Sequence, residues 1–243
     1  LHDAALKRSA LGGSLTGFFL GFAGTEFSRM LAASPAGSSV YAATGSTASI
    51  AAGRLSYTLG LHGPCVTYDT ACSAALAACH TGLRALQLAE CAASLVAGVT
   101  LMLAPGVGIS FAIAGMTSAR GCSHTFDARA DGYARGEACG GVALGRGALS
   151  ALALNGSAVR QDGRSASLTA PSGQAQQGLL VAAMQDAGSS VDELSLNEVH
   201  GTGTALGDPI EARSYSAAAR QLRELTGAMG SAKANHGHAE TGA

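Results

Sequence analysis

Apolar positions along this chain take turns between two periods. Leu15-Thr16-Gly17-Phe18-Phe19-Leu20-Gly21-Phe22 is a nearly continuous apolar run, which predicts a strand covered on both faces. Glu26 to Ala33 predicts a short helix, and the Ser/Pro/Gly stretch at 34–39 a loop. From Thr47 to Leu61, Ile50, Leu55 and Leu59 recur at helical spacing, with Gly60 as the stop. Val66-Thr67-Tyr68, entered from Gly63-Pro64, predicts a short strand. Beyond it Leu76, Cys79, Leu83 and Leu86 are spaced as a helical stripe among alanines, with Ser73 in the cap position.

Ala93 to Val99 predicts another strand, and Val107 to Met116 a short element of either type. The polar segment Ser118 to Gly136 predicts a loop. Glu137 to Leu144 predicts a strand, Ser157 to Val159 a weak one, and Gln161 to Gly173 a turn-rich connection. Gln174 to Ala187 (helix), Leu196 to Val199 (strand), Asp208 to Leu225 (helix with Pro209 in its first turn) and Gly227 to Ser231 (strand) complete the alternation. Strands alternating with helices predict an α/β fold with a parallel or mixed sheet.

Composition narrows the function. The 243 residues include 34 glycines and are 47% hydrophobic and only 13% charged, a balance suited to closely packed layers and large subunit contacts. A net charge of −1 carries no nucleic-acid footprint. No apolar run reaches the ~18–20 residues that span a bilayer. The six cysteines show no CxxC pair and no metal-ligand spacing. Five of them are expected to act as small apolar residues in a reducing, cytoplasmic compartment.

The sixth is Cys72, where a strand turns into a helix. Unpaired N–H groups and the helix dipole favour a thiolate there, and such placements lower a cysteine pKa to about 3.5–7.5. A buried structural cysteine is the alternative at this point. His200 follows a strand and sits in the Gly/Thr-rich turn Gly201-Thr202-Gly203-Thr204, where open α/β sheets place ligand-binding groups. His238 lies beyond Lys233, with His236 beside it. The glycine-rich turn lacks the phosphate-cradle patterns. Asp127 and Asp131 have no third metal ligand at useful spacing, so no metal site is expected.

Three ordered blocks now carry a resemblance. Asp69-Thr70-Ala71-Cys72-Ser73, then His200-Gly201-Thr202-Gly203-Thr204 with Gly207-Asp208-Pro209-Ile210-Glu211, then Lys233-Ala234-Asn235-His236-Gly237-His238 resemble the signature blocks of β-ketoacyl synthases. The nearest type is the ketosynthase domain of modular type I polyketide synthases. Ala52-Gly53-Arg54-Leu55-Ser56-Tyr57, Phe126-Asp127 through Glu137, and Asp162-Gly163-Arg164 with Leu168-Thr169-Ala170-Pro171 extend the likeness over essentially the whole chain.

The resemblance implies a thiolase-like fold of α-β-α-β-α layers, incomplete at both ends. A nucleophile half would occupy about residues 1–145 and the start of a second half about 155–243. It implies that Cys72 takes an acyl chain from a phosphopantetheine thioester. A malonyl-type extender on acyl carrier protein then loses carbon dioxide and attacks that thioester, a decarboxylative Claisen condensation of polyketide or fatty acid biosynthesis. His200 and His238 would stabilise the enolate, Lys233 would pair with Glu211 to order the site, and Thr202 and Thr204 would hold the pantetheine arm. No cofactor bound by the domain itself is implied. The implied partners are acyl carrier protein, a second copy as homodimer, and a neighbouring acyltransferase domain. Between Leu144 and Asn155 the chain is shorter than the family pattern, and His236 stands where an apolar residue is usual. A non-elongating ketosynthase, or a non-catalytic docking module for a carrier protein, is the alternative. Against these stand both histidines and Cys72.

Overall fold

The computed structural model describes residues 6–24, 26–147, 152–190, 193–222 and 227–242. The chain forms two compact units, interleaved in sequence. The first comprises residues 1–109, 136–149 and 239–243, the second 110–135 and 150–238.

The first unit is built on strands β1 (Thr16–Phe22), β2 (Cys65–Tyr68), β3 (Ala93–Thr100) and β4 (Ala138–Gly145). Their order is β2-β1-β3-β4, with β1 parallel to β2 and β3, and β4 antiparallel to β3. The connections are α1 (Arg8–Leu11), α2 (Glu26–Ala32), α3 (Ala42–Ser46), α4 (Ala48–Leu59) and α5 (Ala74–Gln87). The apolar run of β1 does what a doubly covered strand requires. Phe18 and Leu20 face one cluster with Leu11, Ala52, Leu61 and Leu95, on the side of α4. Phe19 faces the other, with Ala78, Ala85, Leu86 and Val96, on the side of α5. Side chains of a strand alternate between faces, so one strand serves both layers.

Helix α4 ends as expected, on Gly60 at φ 68°, whose N–H bonds the Ser56 and Tyr57 carbonyls. Helix α5 departs from expectation. Its buried face is Ala74, Ala78, Gly82, Ala85 and Leu86, whereas Leu76 is 70% exposed. The small residues face the sheet because the approach is nearly backbone to backbone. A Cβ on Gly21 would lie 2.5 Å from the Ala75 nitrogen, and one on Gly82 would lie 2.4 Å from Ser94 Oγ. A leucine stripe would hold the helix farther away.

The second unit contains β5 (Asn197–Glu198) paired in parallel with β6 (Met229–Gly230). Helix α6 (Pro105–Ile113), the element left open by the sequence, carries the chain from the first unit into the second. Helices α7 (Gly173–Ala187), α8 (Gly207–Gln221) and the short α9 (Lys233–His236) follow. Tyr215 and Ala219 of α8 pack with Leu180 and Met184 of α7 and Met229 of β6. Ser172 caps α7 by accepting a bond from the Ala175 N–H at 3.3 Å, and Gly188 closes it at φ 61°.

One expectation differs here. Ser157 to Val159 forms no strand; it lies along the end of α7, with the Ser157 N–H bonded to Asp186. The end of the helix expected over Asp208 to Leu225, residues 223–225, lies outside the described residues. The cysteines also differ. Cys91 is buried and Cys79 half-buried, with its thiol pKa pushed up by burial. Cys65, Cys122 and Cys139 are exposed, because the first and third sit on the edge strands β2 and β4 and Cys122 on a polar loop. No described helix is long and apolar enough to cross a membrane.

Candidate active site

Cys72 belongs to the first unit, at the mouth of α5. The entry to it is an Asx turn in which Asp69 accepts the Ala71 N–H at 3.2 Å. Ala71 takes φ 54°, a left-handed conformation that costs a non-glycine residue about 1–2 kcal/mol. This sharp turn, held by the Ala74 N–H bond to the Ala71 carbonyl, leaves Cys72 exposed ahead of the helix. Ser73 does not cap the helix with its side chain. Its hydroxyl turns back to the Thr70 carbonyl and Thr70 Oγ1, at 3.0 and 2.9 Å.

In the second unit, parallel pairing sets β5 and β6 side by side, so the segments leaving them emerge at the same end. The Val199 N–H still bonds Gly230, and His200 begins the turn. Lys233 starts α9 a few residues past β6, and His238 follows it. The two imidazoles meet edge to face, with centroids 5.3 Å apart and planes at 88°. His238 is 3% exposed and packs its other side on Tyr133, 5.2 Å away, while its backbone N–H bonds the Ala134 carbonyl at 2.7 Å.

Both rings are held neutral near pH 7. Burial, followed by the neighbouring His200 and Lys233 charges, pushes the His238 pKa down to about 4. For His200 burial and then Lys233 lower the pKa, with Glu211 and Asp208 pulling the other way. One edge of the His200 side chain stays open to solvent, yet protein surrounds the ring closely enough for desolvation to dominate. A neutral imidazole offers one N–H donor and one acceptor, the combination suited to binding a carbonyl oxygen on which charge will develop.

The other expected residues take definite places. Glu211, one turn into α8, accepts the His200 N–H at 2.6 Å and the Gly201 N–H at 2.9 Å. Its carboxylate is thus taken by backbone donors and forms no ion pair with Lys233 among the described residues; the half-buried ammonium acts on the histidines instead. Thr202 is buried in the turn. Thr204 Oγ1 accepts the Gly207 N–H at 3.2 Å at the start of α8. His236 is exposed.

Sequence reading misses the supports. Ser118 to Gly136, predicted only as a loop, braces both histidines. Thr125 Oγ1 donates to the Gly201 carbonyl and the Gly132 N–H to the Gly203 carbonyl, while Tyr133 and Ala134 hold His238. Asp208, to which the sequence alone gives no role, is 3% exposed and accepts three backbone N–H groups. The signal available is position alone: an acidic residue in the first turn of a helix. Asp127 and Asp131 serve as partners of arginines, Asp127 of Arg129 at 2.8 Å and Asp131 of Arg120 at 3.4 Å.

Comparison with known proteins agrees in one direction. Residues 1–149 match the model of the β-ketoacyl synthase N-terminal domain, and residues 152–243 that of its C-terminal domain. The spectinabilin polyketide synthase system protein NorC of Streptomyces orinoci is 40% identical over 247 residues, covering 98% of this chain and 11% of that protein. The polyketide synthase GfsB of Streptomyces halstedii is 41% identical over 249 residues, covering 99% of this chain and 4% of its own length. Among solved structures, the ketosynthase from module 6 of the bacillaene synthase of Bacillus subtilis 168 superposes with a TM-score of 0.88 at 33% identity. That match covers 99% of this chain and 43% of the solved one. The chain therefore spans less than half the length of each of these proteins.

Proposed function

Because the chain belongs to the β-ketoacyl synthase family and has its thiolase-like α/β fold, we propose that it is part of an acyltransferase acting in polyketide assembly. Cys72 is the nucleophile: its thiolate attacks the thioester of an acyl chain carried on phosphopantetheine, forming an S-acyl bond and releasing the carrier thiol. An extender of malonyl type on acyl carrier protein then loses carbon dioxide. The electron pair of the broken C–C bond becomes an enolate, which attacks the acyl carbon on Cys72 and expels the thiolate. His200 and His238 hold the extender's thioester oxygen through N–H donors, so that the enolate charge forms against them. One oxyanion-hole donor is typically worth about 10²–10³ in rate.

The observation that carries this reading is the imidazole pair in contact, the inner ring lowered to a pKa of about 4 by burial and by its charged neighbours. Such rings donate hydrogen bonds without competing for the proton of the product. Burial, with Lys233 as a lesser contributor, keeps both rings uncharged. Thr202 and Thr204, in the turn that His200 begins, would hold the pantetheine arm. Acyl carrier protein is the delivering partner, and a second copy of the chain and a neighbouring acyltransferase domain complete the assembly.

The test is made in the full-length protein that contains this segment. Cys72→Ala abolishes covalent loading from a radiolabelled acyl thioester, while His238→Ala loads normally and loses decarboxylation of the malonyl extender. Persistent loading of Cys72→Ala refutes the assignment of the nucleophile.

A further inference from the structure

The carboxylate of Asp208 stands in the first turn of α8, almost without solvent contact. Its Oδ1 accepts the Gly203 N–H at 3.1 Å and the Thr204 N–H at 3.2 Å, both in the turn that begins at His200. Its Oδ2 accepts the Phe126 N–H at 2.9 Å, from a segment far away in sequence. Phe126 is held at φ 57°, in the left-handed region that costs a residue with a Cβ about 1–3 kcal/mol. The two segments touch closely besides: a Cβ on Gly203 would lie 2.7 Å from the His124 nitrogen, and Thr125 reaches the Gly201 carbonyl.

We infer that Asp208 is a positioning residue for His200, acting by locking the strained 124–127 segment onto the 200–204 turn. Glu211 fixes the start of that turn, at the His200 and Gly201 nitrogens. Asp208 fixes its end and supplies the only described bond from the turn's helix to Phe126. Charge-assisted bonds to a buried acceptor are strong, and leaving their donors unpaired costs more than the bonds themselves contribute. Without Asp208 the strain at Phe126 is opposed only by the Thr125 bond and the packing beside it, the 124–127 segment loosens, and the turn loses one wall. His200 then samples orientations in which its N–H no longer points at the oxygen it must hold. The inference rests on the proposed role of His200, and its test separates the two.

The discriminating variant is Asp208→Asn, made in the full-length protein. Asparagine is isosteric and keeps Oδ1 for Gly203 and Thr204, but sets an NH2 group against the Phe126 N–H, donor against donor. Backbone amide exchange around residues 124–127 should speed up at least tenfold. Extender decarboxylation should fall ~10- to 100-fold in kcat with KM little changed, while acyl loading of Cys72 stays at the wild-type rate. Phe126→Gly removes the strain, since glycine takes φ 57° at no cost. Placed in the Asp208→Asn background it should restore at least part of the decarboxylation rate, which a merely global loss of folding would not allow. Unchanged exchange at 124–127 overturns the locking role whatever the activity. Faster exchange with unchanged decarboxylation overturns the positioning role. If His200→Ala leaves decarboxylation intact while Asp208→Asn still frees the segment, the lock stands and the reading of His200 fails.

Discussion

Two glycines inside helices of the same unit make opposite predictions for the same substitution. Gly53 in α4 has nothing within 4 Å of the position a Cβ would take. Gly53→Ala therefore gains only the helix-propensity difference, about 0.5–1 kcal/mol. Gly82 in α5 gains the same amount and then meets the sheet. Its Cβ would lie 2.4 Å from Ser94 Oγ, 3.0 Å from Val96 Cγ2 and 3.3 Å from Phe19 Cδ2. Ser94 is fully buried on β3 and Phe19 is 1% exposed, so neither can swing aside into solvent. Overpacking of this kind costs about 1–3 kcal/mol, which exceeds the propensity gain. The net difference between the two variants is about 2 kcal/mol, or roughly thirtyfold in the local opening constant. Amide hydrogen exchange of α4 and α5 in the full-length protein reads it directly. Gly53→Ala should slow exchange in α4, and Gly82→Ala should speed it in α5 by about tenfold. Slower exchange in α5 of Gly82→Ala would refute the backbone-close packing of helix on sheet.

The remaining predictions are shorter. Because the His238 pKa is lowered to about 4 in the folded state, the unfolded chain binds the proton first as pH falls. Stability is therefore complete above about pH 6.5, the ordinary histidine value, and declines between there and pH 4, by on the order of 2 kcal/mol after allowing for solvent screening. Urea unfolding of wild type and His238→Gln across that range checks it: a flat wild-type profile is the contrary result. Ser172→Ala removes the cap of α7 and should cost about 1 kcal/mol, visible as faster exchange in the first turn of that helix alone.

Much of this is legible in residue order. The double face of β1 follows from Phe18-Phe19-Leu20, and the end of α4 from Gly60, since both depend on neighbours in sequence. The face of α5 is not legible, because hydrophobicity ranks Leu76 above Ala78 while close packing selects the smaller side chain. Cys72, His200 and His238 stand out because their chemistry is unusual at turns and strand ends. The supports of the histidines do not. Asp208 reaches Phe126, and Ala134 reaches His238, across gaps in sequence that no period spans. Backbone groups supply most of those bonds, and backbone groups look alike in every residue.

The joint between α5 and its sheet has one more implication. A joint made of leucines can be re-shimmed, as one rotamer yields when another grows. Where Gly21 meets Ala75 there is only main chain on both sides. The height at which Cys72 stands over the strands thus has a single setting, indifferent to drift in the loops around it. That rigidity is also a liability, for an error of one methyl group at that joint has no slack in which to hide.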